Sequence, residues 1–140
     1  KLVRLAGRAD AVLVDAPCTG TGTLRRNPDL KWRTAPATLV RLLGQQQSIL
    51  AAAARLVRPG GVLVYATCSL LSDENDRQAE RFEAAHPAFV REAAAPLLKA
   101  QGAEPGGARP GEEDEGFLRL LPQRDGVDAF FAVRWRRNIL

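Results

Sequence analysis

The longest regular pattern in the chain is helical. From Pro36 or Thr38 onward, Leu39, Leu42, Leu43, Ile49, Leu50, Ala53, Leu56 and Val57 recur at spacings of three, four and seven, on one helix face, with Gln46 interrupting the stripe. Ahead of it, Ala11-Val12-Leu13-Val14 is apolar at every position, as in a short parallel strand buried on both faces. That strand ends at Asp15-Ala16-Pro17, because Pro17 cannot donate to a ladder. Arg58-Pro59-Gly60-Gly61 is predicted to stop the helix and turn the chain into a second buried strand over residues 62–66. Strand, long helix and strand in this order predict a right-handed crossover between parallel neighbours, and so an α/β fold.

Further on, Ser72 is placed to cap a helix over residues 73–85, with Asp73 and Glu74 favourable in its first turn and Ala79 and Phe82 facing the sheet. Pro87 ends it. Phe89-Val90 reads as a short edge strand, residues 117–121 as another, and residues 128–136, with Phe130, Val133 and Trp135, as the strand that closes the domain. Two segments read as loops: residues 19–37, with Gly20, Gly22, Pro28 and Pro36, and the Gly-, Pro- and Glu-rich residues 101–116. No internal repeat is visible.

Composition narrows the class. The chain has 140 residues, 46% of them hydrophobic and 26% charged, enough for one globular domain with its own core. No apolar stretch approaches the roughly 20 residues that span a bilayer, and no apolar run follows Lys1-Leu2-Val3-Arg4 as in a secretory signal. The expected setting is cytoplasmic, with both cysteines reduced. There is no methionine, and an open reading frame starts with one, so residues 1–140 are expected to be a fragment of a longer protein. The net charge is +4. Arg25, Arg26, Lys31 and Arg33 cluster against the single Asp29, which favours a polyanionic partner, whereas Glu112-Glu113-Asp114-Glu115 reads as a solvated acidic loop.

The two cysteines carry the candidate chemistry. Cys18 follows the first apolar strand and Cys68 the second, the end of an open α/β sheet where ligands bind. A zinc site needs four paired ligands, and here two cysteines stand fifty residues apart with His86 the only histidine. A phosphatase thiol would need arginine at position 24, which is Leu24. A Cys–His pair would have to use His86, at a predicted helix end. Either cysteine alone reads first as a small buried hydrophobe, and the pair could form a disulfide if the strands are neighbours. Gly20 and Gly22 lack the Lys-Ser/Thr and the helix of a phosphate loop.

The flanking residues decide between these readings. Asp15-Ala-Pro17-Cys18-Thr-Gly20-Thr-Gly22-Thr-Leu-Arg25-Arg26-Asn27-Pro28-Asp29-Leu-Lys31-Trp32, then Gln46-x-x-Ile49-Leu50, Pro59-Gly60-Gly61, Tyr65-Ala66-Thr67-Cys68-Ser69, Glu74-Asn75 and Gly126-x-Asp128-x-Phe130-Phe131 resemble the Sun/RsmB-type RNA (cytosine-5) methyltransferases, over about residues 9–136. Val127 and Ala129 depart from that pattern, where the family commonly has Thr and Gly. The resemblance implies an incomplete Rossmann-like S-adenosylmethionine-dependent methyltransferase fold, a mostly parallel sheet with an antiparallel terminal strand. It implies methyl transfer to cytosine in RNA, ribosomal RNA first and transfer RNA second, with S-adenosyl-L-methionine as cofactor and no metal.

The chemistry needs a thiol because carbon 5 of cytosine is too weak a nucleophile until a thiolate adds to carbon 6. The resemblance gives that addition to Cys68 and breakdown of the adduct to Cys18; the swapped assignment is the rival. It places Asp15 at the cofactor and target base, Pro17 beside it, and Arg25, Arg26, Lys31 and Arg33 on RNA phosphates. Asp15 alone also reads as a turn former, and Trp32 slightly favours packing over base stacking. The target base must be unpaired or turned out of its stack.

The donor-binding strands of that family lie upstream of anything present before Asp10. The chain is therefore expected to bind S-adenosylmethionine poorly by itself, and to expose a bare strand edge that promotes self-association. The alternative function is a noncatalytic RNA-binding or assembly module of the same shape. Methylation of an amino group fits less well, since no aromatic closes the Asp15-Ala16-Pro17-Cys18 motif.

Overall fold

Alternation along two strands fixes where the core sits. Leu63, Tyr65 and Thr67 are fully buried in one strand, and Phe131, Val133 and Trp135 are buried in the strand beside it. The computed structural model describes residues 2–33, 35–103 and 116–139. In them the strands are β1 (Ala9–Asp15), β2 (Val57–Thr67), β3 (Phe89–Glu92), β4 (Phe117–Leu120) and β5 (Phe130–Arg137). The helices are α1 (Leu30–Arg33), α2 (Pro36–Ala54), α3 (Asp76–Ala85), α4 (Ala94–Ala100) and α5 (Pro122–Asp125). The strand order is β1-β2-β5-β3, and β4 also pairs with β5.

The α2 connection joins β1 and β2 in parallel, as the apolar pattern predicts, with Val14 opposite Tyr65 and Asp15 opposite Ala66. The terminal strand β5 is antiparallel to β2, as expected. It is also antiparallel to β3 and to β4, which divide its outer edge: β3 faces residues 134–137 and β4 faces residues 130–133. The parallel share of this sheet is thus smaller than expected, because every pairing outside β1–β2 is made on the reversed last strand.

One sheet face carries α2 and α3. Leu50, Ala53, Ala79 and Phe82 pack on Leu63, Tyr65, Val133 and Trp135, and each fully buried large apolar side chain contributes about 1.5–3 kcal/mol. The Trp135 Nε1–H donates to Glu83 Oε1 at 2.7 Å, which satisfies the indole inside this layer. On the other face α4 lies against β4, and β1 is largely open. Leu13 is 69% exposed, so β1 is not the strand buried on both faces that four apolar residues suggest. It ends the strand order, and only its Val14 side is covered by the helices.

Element boundaries differ from the pattern where turn chemistry competes with it. Helix α2 starts at Pro36, whose missing N–H is free in any first turn. It ends at Ala54, so Leu56 lies beyond the helix and Val57 opens β2. The Arg58-Pro59-Gly60-Gly61 stretch lies within β2 as an irregularity, with Ala9 opposite Val57 but Ala11 opposite Val62. Gly60 takes φ +75°, the left-handed turn that this excursion needs. The segment that reads as a loop over residues 19–37 contains a 3-10 turn, Thr21–Thr23, and α1. Helix α4 falls where the sequence pattern predicts no element. The acidic run Glu112-Glu113-Asp114-Glu115 lies outside the described residues. No helix among the described residues is long and apolar enough to cross a membrane.

Candidate active site

Cys68 is the first residue past β2, and Cys18 lies three residues past the end of β1. Because the two strands are parallel neighbours, with Ala16 N–H donating to Ala66 O at 2.9 Å, both cysteines emerge at the same sheet end. Their Sγ atoms are 3.5 Å apart, both thiols free and partly buried. The sequence expectation that the two strand ends present their sulfurs together therefore holds. Burial, the largest cause, pushes the Cys18 thiol from 9.0 up to about 12, and the Cys68 thiol beside it pushes the same way, against lowering backbone hydrogen bonds from Gly20 and Cys68.

The loop after Cys18 is sewn to the loop after Cys68. Gly22 N–H donates to Cys68 O at 2.9 Å, and Gly22 O accepts from Ala129 N–H at 3.0 Å. A side chain has no room there, since a Cβ on Gly22 would lie 2.6 Å from both Cys68 O and Ala129 Cβ. Thr21 Oγ1 accepts from Leu70 N–H at 2.9 Å, a second stitch between the two loops. Gly20 adopts φ +70°, which lets the chain reverse after Cys18.

Beneath these loops sits a fully buried carboxylate, Glu74. Its Oε1 accepts from Thr19 N–H at 2.9 Å and from Gln46 Nε2 at 3.1 Å. Its Oε2 accepts from the Thr19 hydroxyl at 2.6 Å and from the Ser69 hydroxyl. Gln46 Nε2 also donates to Pro17 O at 2.9 Å, and Gln46 Oε1 accepts from Gln78 Nε2 at 2.9 Å. The Tyr65 hydroxyl donates to Glu74 O at 2.7 Å; burial first, then Glu74 and Cys18, raise its pKa.

The expected cap at Ser72 is not made. Residues Ser72–Glu74 form a 3-10 turn, and α3 begins only at Asp76. The reason is Asn75, whose side chain accepts from the Thr67 hydroxyl at 2.6 Å and donates to Ser69 O at 2.9 Å. Glu74 is consequently not a solvated first-turn charge; the sequence reading counted it in the Glu74-Asn75 pair but gave it no role in the site. The available signal was Gln46, a polar residue interrupting an apolar stripe and fully buried here.

The remaining predicted site residues lie on the surface nearby. Asp15 is exposed at the end of β1, and its carboxylate has no side-chain partner among the described residues. Pro17 is exposed too. Arg25 and Arg26 converge on Asp128, Arg25 at 3.8 Å and Arg26 in direct contact. Arg33 pairs with Asp29, and Lys31 Nζ lies 4.9 Å from the Trp32 ring centre. Trp32 is 81% exposed, so the expected packing role is overturned: α1 is a short surface turn with no buried residue. Among the described residues, no three His, Cys, Asp or Glu side chains gather as a metal site requires.

The profile of the family described as 16S rRNA methyltransferase RsmB/F matches residues 3–136. A probable ribosomal RNA small subunit methyltransferase B of Synechocystis is 42% identical over 128 residues, 91% of this chain. Its Bacillus subtilis counterpart is 41% identical over 92% of the chain. The chain spans 27% and 28% of the length of these relatives. Among solved structures, PH0851 superposes with a TM-score of 0.78 at 34% identity, covering 94% of this chain and 27% of that one. NSun6 from Pyrococcus horikoshii, solved with SFG, gives 0.68 at 25% identity, covering 91% and 29%. With the thiol-bearing strand ends inside the matched region, the chain belongs to the RsmB/F family of 16S rRNA methyltransferases.

Proposed function

We propose that this chain supplies the thiol half of an RNA cytosine-5 methyltransferase, acting on ribosomal RNA in the cytoplasm. The observation that supports this most is the 3.5 Å approach of Cys18 and Cys68, which puts both sulfurs within reach of one pyrimidine ring. Cys68, as thiolate, adds to carbon 6 of the target cytosine. The electron pair displaced onto the ring makes carbon 5 nucleophilic, and carbon 5 takes the methyl group. The carbon 5 proton then leaves to a base, the carbon 6–sulfur bond breaks, and its electron pair returns to Cys68. Cys18, held protonated at neutral pH by its burial, donates its S–H to the sulfur being expelled.

The group that supplies the methyl is S-adenosylmethionine, an electrophilic sulfonium when bound. The residues here fit one wall of its site. Asp15 offers an exposed carboxylate with no side-chain partner among the described residues, at the end of β1, one residue before the loop of Cys18 begins. The related NSun6 was solved with SFG, an analogue of that donor. The rest of the donor site belongs, on this reading, to the larger part of the enzyme, since these residues span about a quarter of each relative. Calorimetry on the 140 residues alone should show no micromolar binding of S-adenosylmethionine. Exposed Arg25, Arg26, Lys31 and Arg33 take RNA phosphates, and exposed Trp32 is free to stack on a base.

The test is covalent trapping by the enzyme that contains this chain, with RNA carrying 5-fluorocytosine, whose fluorine blocks loss from carbon 5. The adduct should form, disappear in Cys68→Ala and persist in Cys18→Ala. The reverse pattern would exchange the two roles. RNA binding with no adduct in any variant would sink the methyl-transfer reading and favour a noncatalytic module.

A further inference from the structure

The residue after each thiol is tied to the same carboxylate, which no role assigned so far requires. Thr19 follows Cys18, Ser69 follows Cys68, and both hydroxyls donate to Glu74 Oε2. Thr19 N–H and Gln46 Nε2 fill Oε1, and Gln46 extends the hold to Pro17 O, on the other side of Cys18. A carboxylate has about four acceptor sites, and these donors occupy all of them. We infer that Glu74 is a positioning residue: it fixes the gap between the Cys18 and Cys68 sulfurs by clamping both strand-end loops from below. The inference rests on the two-thiol reading above for its catalytic meaning, though not for its geometry.

Glu74 is fully buried, and among the described residues its hydrogen-bond partners are hydroxyls, an amide and a backbone N–H, with no cation. Its own backbone carbonyl is held by the Tyr65 hydroxyl, and the next residue, Asn75, holds Thr67 and Ser69. The carboxylate is therefore fixed against the end of β2 and reaches across to the end of β1. A glutamine could keep the arrangement, because the Thr19 and Ser69 hydroxyls can accept from an amide NH2 as readily as they donate to an oxygen. An alanine could not.

The gap can be read without catalysis, in the chain as it stands. Oxidised glutathione accepts two electrons from Cys18 and Cys68; each thiol loses its proton, the sulfur–sulfur bond forms, and two glutathione thiols are released. The equilibrium measures how closely the fold holds the pair. Wild type and Glu74→Gln should agree within about threefold, while Glu74→Ala should lose at least about tenfold, roughly 30 mV in the pair's potential. Asp73→Asn, which removes only an exposed ion pair to Arg77, serves as the unaffected control. Should Glu74→Ala lose its native circular dichroism, Ser69→Ala replaces it, with an expected loss of about threefold for the one donor removed. Wild-type equilibrium in folded Glu74→Ala, or in Ser69→Ala, would overturn the inference. So would Glu74→Gln falling as far as Glu74→Ala. Absence of a fluorocytosine adduct in the wild-type enzyme would leave this result standing and sink the methyl-transfer reading instead.

Discussion

Replacing Gly22 by alanine should pry apart the two loops that carry the thiols. The new Cβ would sit 2.6 Å from Ala129 Cβ, 2.6 Å from Cys68 O and 2.8 Å from Ala129 O. Two of those three atoms are backbone, so no side-chain rotation relieves the crowding, and the strand ends must separate by several tenths of an ångström. Overpacking of this kind costs about 1–3 kcal/mol. The same movement stretches the Gly22–Cys68 and Ala129–Gly22 hydrogen bonds, now 2.9 and 3.0 Å, each worth about 0.5–1.5 kcal/mol net. The expected loss for Gly22→Ala is therefore about 2–4 kcal/mol, below the total stability of an ordinary domain. Gly44 is the internal control. It lies in the exposed middle of α2, where an added Cβ would meet nothing within 4 Å, so Gly44→Ala should gain about 0.5–1 kcal/mol from helix propensity alone. Urea unfolding of the two variants should shift the midpoint in opposite directions at an unchanged slope. A Gly22→Ala midpoint at or above wild type would refute the close approach of residue 22 to Cys68.

Burial of Cys18 should show in its alkylation: in Cys68→Ser, the iodoacetamide rate at Cys18 should still be climbing above pH 10, and a plateau near the ordinary 9.0 would contradict the burial assigned to it. Stability should fall over the same window, from pH 9.0 towards about 12, because the unfolded chain releases that proton first and the folded chain retains it. Tyr65→Phe removes the hydroxyl that serves Glu74 O and should cost about 1 kcal/mol in urea unfolding, with no measurable cost counting against the bond. On the proposed function, Arg26→Ala or Lys31→Ala in the enzyme that contains this chain should each reduce the salt slope of RNA affinity by about 1 if that residue meets a phosphate, and an unchanged slope would remove it from the interface. The open β1 face should make the isolated chain associate with concentration in sedimentation, less so in Leu13→Lys; a strictly monomeric wild type would argue that Leu13 is tolerated in water.

What could be read from sequence follows from what each signal depends on. The strands and helices that flank the thiols were legible because periodicity and turn residues are local, and β1–α2–β2 needs little else. The pairing of Cys18 with Cys68 was legible because two similar strand ends in a parallel crossover must emerge together. Leu13 and Trp32 misled for one reason: an apolar residue in a sequence says that it prefers cover, and only the surrounding structure says whether cover is there. The register irregularity at residues 58–61 was hidden because Pro-Gly-Gly reads as a terminator, while here it is absorbed inside β2 against the start of β1.

Glu74 shows a different kind of illegibility, and a more instructive one. Thr19, Gln46, Ser69 and Glu74 are polar residues in four separate segments; Thr19, Ser69 and Glu74 each have a sufficient local explanation (turn former, strand end, first-turn charge), and only Gln46, in the apolar stripe of α2, lacks one. Only when α2 and the two strand ends close around the Ser72–Glu74 turn do they become donors and acceptor in one buried set. Such a set is costly unless complete, since burying a carboxylate without its donors would destabilise the fold by more than any one packing contact restores. A complete buried set of this kind fixes the position of its neighbours. Here those neighbours are Cys18 and Cys68, whose sulfurs keep their 3.5 Å approach only while the two loops keep their spacing.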